Sequence, residues 1–245
     1  PEKYWDILES VDAIPTTAQI TPVRYMQSFE RARDGGCTHV LVITISSTAS
    51  GTYNSGMVAK QLFYDEYGDG MRIEIIDSRA YSMIYGRTLL AAAEMREQGK
   101  SFEEIYEACI DECNRSEALF LVYSLKYLKK SGRINGAAAF VGEALGLRPI
   151  LRCCDGEINI VSKARGDKNV APGMVRELEK YIRQPEGQKL YIAYTKVPHE
   201  EVDRVEKLLR ENFSPASIER IPLGPSVSTN TGPHALAVIY FGEKR

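Results

Sequence analysis

Residues His39 to Gly56, HVLVITISSTASGTYNSG, constrain the fold of this chain more than any other stretch. The apolar, β-branched run Val40-Leu41-Val42-Ile43-Thr44-Ile45 has the composition of a strand buried on both faces. Small hydroxyl-bearing residues follow, Ser46-Ser47-Thr48-Ala49-Ser50-Gly51-Thr52, and Tyr53 to Tyr67 continues as a helix. A buried parallel strand that ends in small polar residues and turns into a helix is where α/β proteins place ligands. The helix start there offers unpaired N–H groups to an anion. Clustered hydroxyls can hold a carboxylate or phosphate by short hydrogen bonds without setting a full charge beside it. A Ser/Thr-rich turn that only caps the helix fits this stretch equally well.

Around that centre the chain alternates. Trp5 to Val11 reads as a short helix, Ile14 to Gln19 as a loop fixed by Pro15, and Thr21-Pro22 as the N-cap and first position of a second helix. Met71 to Ile76 reads as a strand ending at Asp77-Ser78. A helix rich in small residues runs from about Ala80 to Gln98, and Ser101 caps another over Phe102 to Asn114. Ala118 to Tyr123 reads as a third strand of the same parallel sheet. Beyond Leu125 the pattern changes. A short basic amphipathic segment ends at Gly132, and a small-residue helix is expected over Ala137 to Leu145. Asp155-Gly156 between Leu147–Arg152 and Glu157–Lys163 is a hairpin signal. Helices are expected over Val170–Arg183 and His199–Asn212, with strands over Leu190–Tyr194, Ser217–Leu223 and His234–Phe241. The last two strands are joined by a loop from Gly224 to Pro233.

The fold class expected is α/β in two domains, with a ligand in the cleft between them. Residues 1–126 form an N-terminal parallel-sheet lobe, and 127–245 a C-terminal α+β lobe with a mixed or antiparallel sheet. The chain opens at Pro1 without a methionine and runs straight into Glu2-Lys3-Tyr4-Trp5-Asp6, which reads as the middle of a domain. The expectation is that N-terminal sequence precedes it.

Composition narrows the function. At 245 residues and a formal charge of −2, nothing draws the whole molecule to nucleic acid or an anionic membrane. Five cysteines without a CxxC pair read as reduced thiols in a cytosolic protein, and His39, His199 and His234 have no metal-ligand spacing. No transmembrane run or signal peptide is present in the sequence. Three stretches offer hydroxyls or amides beside Gly or Pro: Pro15-Thr16-Thr17-Ala18-Gln19, Ser46 to Thr52, and Ser226 to Thr231. Converging, they would make an anion pocket of neutral donors. Ser47 lies outside a G-x-S-x-G elbow, and no phosphate-binding glycine motif occurs, so a serine hydrolase or a familiar nucleotide enzyme is poorly supported. Lys163, Arg165 and Lys168 read as a solvated rim or a docking patch for an acidic partner.

Several separated motifs make the chain similar to the DegV family, the fatty-acid-binding subunits of bacterial fatty acid kinase. Ile14 to Gln19 resembles the family's P-T-T-S-Q loop, and Ile45 to Tyr53 its I-S-S-x-L-S-G-T-Y segment. Asp77 to Met83 resembles D-S-x-x-x-S-M, and Leu125 to Ile134 resembles L-x-Y-L-K-K-G-G-R-I. Arg148 to Leu151 resembles K-P-I-L, and Thr229 to Pro233 resembles T-H-T-G-P. The resemblance implies a non-catalytic carrier without nucleotide or other cofactor, which buries one long-chain fatty acid and presents its carboxylate to a separate ATP-dependent kinase subunit for phosphorylation. It implies that Thr17 and Ser47 hold the carboxylate, with Thr16, Ser46, Gly51 and Asn230 around them. Ser82, Ile84 and Tyr85 would line the acyl chain.

Three departures from the pattern stand out. Asn230 stands where the family has a histidine; it can donate a hydrogen bond but cannot be protonated. His234 replaces a glycine, and Ile84-Tyr85 put bulk where small residues are common. The competing reading is an enzyme or sensor acting on a small phosphorylated or carboxylated metabolite in the same cleft.

Overall fold

The computed structural model describes residues 1–134 and 146–245, so the small-residue helix expected over 137–145 lies outside the described residues. The chain forms two compact units, one of Pro1–Thr17 with Arg115–Arg245 and the other of Ala18–Asn114. Helix α1 (Glu2–Ser10) opens the chain. The second unit then runs α2 (Pro22–Asp34), β1 (His39–Thr44), α3 (Thr52–Tyr67), β2 (Arg72–Asp77), α4 (Met83–Glu97) and α5 (Phe102–Cys113). The first unit resumes with β3 (Ser116–Val122), α6 (Lys126–Ser131), β4 (Leu147–Cys154), β5 (Glu157–Arg165), a 3-10 turn (Asp167–Asn169) and α7 (Val170–Leu178). It ends with β6 (Lys189–Tyr194), α8 (His199–Phe213), β7 (Ser217–Pro222), α9 (Pro225–Thr231) and β8 (Ala235–Phe241).

In the 18–114 unit, β1 and β2 pair in parallel from His39↔Arg72 to Thr44↔Asp77. Alternation along β2 sends Ile73 and Ile75 into a cluster with Tyr25, Phe29, Ala59 and Phe63 of α2 and α3. Ile76 packs in a second cluster with Ala92, Ile105, Cys109 and Cys113 of α4 and α5. Full burial of side chains such as Phe29 and Ile73, 1% and 0% exposed, contributes about 1.5–3 kcal/mol each. Pro22 occupies the first turn of α2, where its missing N–H costs nothing. Ser101 and Glu104 form a reciprocal capping box on α5. Strand β1 is less covered than its composition suggests: His39 is exposed, Val40 to Ile43 are half-buried, and Thr44 is buried.

The other unit is built on a six-stranded sheet in the order β5-β4-β3-β8-β6-β7. All neighbours are antiparallel except β6 and β7. Helices α7 and α8 bury Met174, Leu178, Val205 and Leu209 against Leu119, Leu121, Leu190 and Val238. Asp155 and Gly156 both take positive φ (53° and 78°), the double left-handed turn that matches the strand twist of a hairpin.

Three expectations are corrected. Strand β3 belongs to the large mixed sheet, pairing with β4 and β8, and not to the parallel sheet of β1 and β2. The contacts therefore divide the chain after Asn114, where the sequence pattern suggested Lys126, and α1 joins the C-terminal sheet. Trp5 and Leu8 are buried there, Trp5 Nε1 donates to the Leu223 carbonyl at 3.2 Å, and Tyr127 O–H to that of Leu8 at 3.2 Å. Finally, the stretch expected as a loop after β7 contains α9. Pro225 presets its first turn, and Ser228, Thr229 and Thr231 return their hydroxyls to the carbonyls of Gly224, Pro225 and Val227.

Candidate functional site

The hydroxyl segment leaves the carboxyl end of β1 and is pinned to the turn that follows β2. Because Thr44 and Asp77 are register partners, Asp77 stands opposite the point where the chain enters Ser46-Ser47. Asp77 Oδ1 accepts from the Ser47 N–H at 3.1 Å, and Oδ2 accepts from the Ser47 hydroxyl at 2.5 Å. The Arg79 N–H adds a bond to Oδ1 at 3.0 Å. Ser46 is fully buried, its N–H donates to the Ala80 carbonyl at 2.9 Å, and its hydroxyl pairs with Thr48 at 2.8 Å. Ser50 and Thr52 pair the same way at 2.8 Å.

The turn that receives these bonds is strained. Arg79 (φ 50°) and Ser82 (φ 52°, ψ −135°) are non-glycine residues at positive φ on either side of Ala80 and Tyr81. Such conformations cost on the order of 1–3 kcal/mol each and persist only where surrounding structure imposes them. Ser82 is the N-cap residue of α4, and its side chain accepts no cap bond. Ile84 is buried and Tyr85 is half-buried. Burial pushes the Tyr85 phenol up, and burial followed by the nearby Tyr85 does the same to Tyr25.

Gly51 is closely approached by the Gln19 side chain. A Cβ there would sit 2.1 Å from Gln19 Oε1, and the Gln19 amide donates to Ser55 at 3.1 Å. Gln19 also borders a concave groove of about 600 Å³ beside β1, lined by Ile20, Tyr25, Phe29, Val40 and Val42.

In the other unit, α6 ties together two stretches far apart in sequence. Lys130 Nζ donates to the Ile14 carbonyl at 2.6 Å, anchoring the segment that carries the exposed Thr16 and Thr17. Arg133 Nη1 donates to Asn230 Oδ1 at 3.3 Å. Asn230 Nδ2 spends one hydrogen on the Ser226 carbonyl at 2.8 Å, so one of its two donors is already used within α9. Thr229 shares a hydrogen bond with Tyr4 of α1. Gly232 is needed twice over, for φ 89° and because a Cβ would lie 2.6 Å from Tyr127 Cδ2. His234 is committed to structure: Nε2 lies 2.7 Å from Glu9, and Nδ1 contacts the Lys196 carbonyl. The Lys196 ammonium, with His234 in support, holds the Glu9 carboxyl below its ordinary range.

The residues expected from the sequence thus fall into two sets. Ser46, Ser47, Gly51, Ser82, Ile84 and Tyr85 lie in the 18–114 unit; Thr16, Thr17 and Asn230 lie in the other. Lys163 and Arg165 are exposed on β5, an edge strand, on the same side of its alternation. Two partners were not anticipated: Asp77 for Ser47, and Arg133 for Asn230. A signal for the first exists, since two six-residue strands that pair in parallel bring their carboxyl ends together. Among the described residues no cluster of three or more His, Cys, Asp or Glu could hold a metal, and no helix is long and apolar enough to cross a membrane.

A two-unit α/β protein with a small parallel sheet, a larger mixed sheet and a hydroxyl-rich strand end defines the class. The family described as "Uncharacterised protein, DegV family" matches residues 1–243, and the chain belongs to that family. A DegV domain-containing protein of Clostridium perfringens is 33% identical over 246 residues, spanning 100% of this chain and 83% of that protein. Two solved structures share the fold. One is a DegV family protein from Thermus thermophilus described by its fatty acid binding (26% identity, TM-score 0.84, 98% of this chain and 84% of that one). The other is a DegV family protein from Ruminococcus gnavus with vaccenic acid (25% identity, TM-score 0.85, 97% and 83%).

Proposed function

We propose that this protein is a fatty-acid carrier that binds a long-chain fatty acid and presents its carboxylate to a separate ATP-dependent kinase subunit, which forms the acyl phosphate. The observation that carries the reading is the hydroxyl segment Ser46 to Thr52, fixed at the carboxyl end of parallel strand β1 by Asp77 and Ala80. The fatty acids described for the related Thermus and Ruminococcus proteins support it. Thr17 and Ser47 are the assigned carboxylate ligands; Thr16, Ser46, Gly51 and Asn230 are assigned to the same head group, and Ser82, Ile84 and Tyr85 to the acyl chain. Lys163 and Arg165 are the assigned docking residues for the kinase subunit.

The energetics are consistent. Each buried methylene of an acyl chain contributes about 0.8 kcal/mol, so a long chain supplies ample affinity. The carboxylate then needs hydrogen bonds only to offset its desolvation. Neutral donors leave its oxygens less neutralised than an arginine would, which suits a group that must attack ATP.

The test is denaturing extraction and mass spectrometry of protein purified without added lipid, followed by binding measurements on Thr17→Ala and Ser47→Ala. A stoichiometric fatty acid and weakened binding by both variants are expected. An empty protein that fails to take up oleic acid, or variants that bind it at wild-type affinity, would overturn the carrier reading or the site assignment respectively. Acyl phosphate formation on mixing with ATP and the kinase subunit is the test of the hand-over.

A further inference from the structure

Ser47 has a single hydroxyl proton, and the geometry says where it points. At the 2.5 Å separation from Asp77 Oδ2 the Ser47 hydroxyl is the donor and the carboxylate oxygen the acceptor. The hydroxyl's remaining capacity is that of an acceptor. A fatty-acid carboxylate is also acceptor-only and cannot bond to this hydroxyl unless the hydroxyl turns its proton away from Asp77. If it does, Asp77 keeps the Ser47 and Arg79 N–H groups but loses its bond from the hydroxyl, and two carboxylates then face one hydroxyl. The position of Asp77 is imposed: it ends β2 in register with Thr44 and enters the turn strained at Arg79 and Ser82.

We propose that Asp77 is a positioning and specificity-determining residue that competes with the ligand's carboxylate for the Ser47 hydroxyl proton. It thereby weakens the grip on an ionised head group and favours one that can itself donate. The inference rests on the reading of Ser47 as a carboxylate ligand. Its consequence is that the bound carboxylate is held at this point by less than a full hydrogen bond.

The experiment compares oleic acid with oleamide on the delipidated full chain, by calorimetry, for wild type, Asp77→Asn, Ser47→Ala and the double variant. An asparagine can donate to the Ser47 oxygen, turning the serine proton outward, and removes the negative charge. The expected result is oleate binding about tenfold tighter in Asp77→Asn, the size of one hydrogen bond to a charged group. Oleamide should gain nothing, and most of the gain should vanish in the Ser47→Ala background, leaving only the part due to loss of the Asp77 charge. A merely structural role would move both ligands together. Equal oleate affinity in Asp77→Asn and wild type, or a gain that survives Ser47→Ala undiminished, overturns the proposal while leaving the site reading intact if Ser47→Ala alone weakens binding. Wild-type oleate affinity in Ser47→Ala overturns both. Wild-type protein supplies an arm independent of the folding of Asp77→Asn: oleamide should bind within about tenfold of oleate. A preference for oleate beyond about a hundredfold overturns the inference.

Discussion

Arg152 grips Glu117 with both arms of its guanidinium, Nε at 2.8 Å from Oε2 and Nη2 at 2.7 Å from Oε1. Glu117 lies on β3 and is 1% exposed; the Tyr240 hydroxyl donates to it at 2.8 Å, and the guanidinium stacks over Tyr181 at 4.0 Å. Burial opposes the charge on Arg152, and the Glu117 carboxylate overrides that, holding the guanidinium above its ordinary value. Removing one partner of such a pair leaves the other charge buried without compensation. Arg152→Ala is expected to destabilise the protein by about 3–5 kcal/mol in urea unfolding. A loss below about 1 kcal/mol would place the pair with exposed ion pairs instead.

Ser82 is held in a backbone region that glycine enters freely, at φ 52° and ψ −135°. Ser82→Gly should relieve that strain and stabilise the fold by about 1 kcal/mol, even though glycine enlarges the entropy of the unfolded chain. A lower midpoint of thermal unfolding for the variant would show that the serine is not strained there.

The capping box of α5 makes an acid-side contribution whose sign is fixed. The Ser101 N–H, then Lys100, then the Ser101 hydroxyl hold the Glu104 carboxyl down to about 2, from an ordinary 4.5. A folded-state value below the unfolded one stabilises at pH above the ordinary value, and that stabilisation drains away as pH falls from about 4.5 to about 2. Glu104→Gln keeps a capping side chain without the charge. Its stability deficit relative to wild type, measured by denaturant unfolding, should be constant from pH 7 to 5 and close between pH 4.5 and 2. A deficit that persists unchanged at pH 2 would contradict this.

The five thiols should separate by burial. Cys109 is 2% exposed, and burial, helped by Cys113 and Glu112, pushes its thiol up to about 12. Cys113 and Cys153 are buried as well, whereas Cys37 is exposed. Iodoacetamide at pH 8 under native conditions should therefore label Cys37 first and leave Cys109 and Cys153 untouched until the protein is unfolded. Peptide mass spectrometry reads the order, and early modification of Cys109 would mean that the α4–α5 face opens.

What the sequence by itself determined is local. The Thr21-Pro22 start of α2, the Ser101 cap, the Asp155-Gly156 hairpin and the strand–hydroxyl–helix segment at Val40 to Tyr67 all rest on interactions within a few residues. Periodicity and turn chemistry encode these directly. The family's separated motifs were legible for the same reason, as short strings with fixed residue types. Only the tertiary structure decided which sheet β3 joins, that α1 packs beneath Leu223 and Tyr127, and that Ser226 to Thr231 coils into α9. It alone decided, too, that the Ser47 proton is claimed by Asp77 thirty residues away. The physical reason is that an apolar run such as Ala118 to Val122 satisfies its backbone equally well beside a parallel or an antiparallel neighbour. The choice falls to contacts made far along the chain, which no local pattern records.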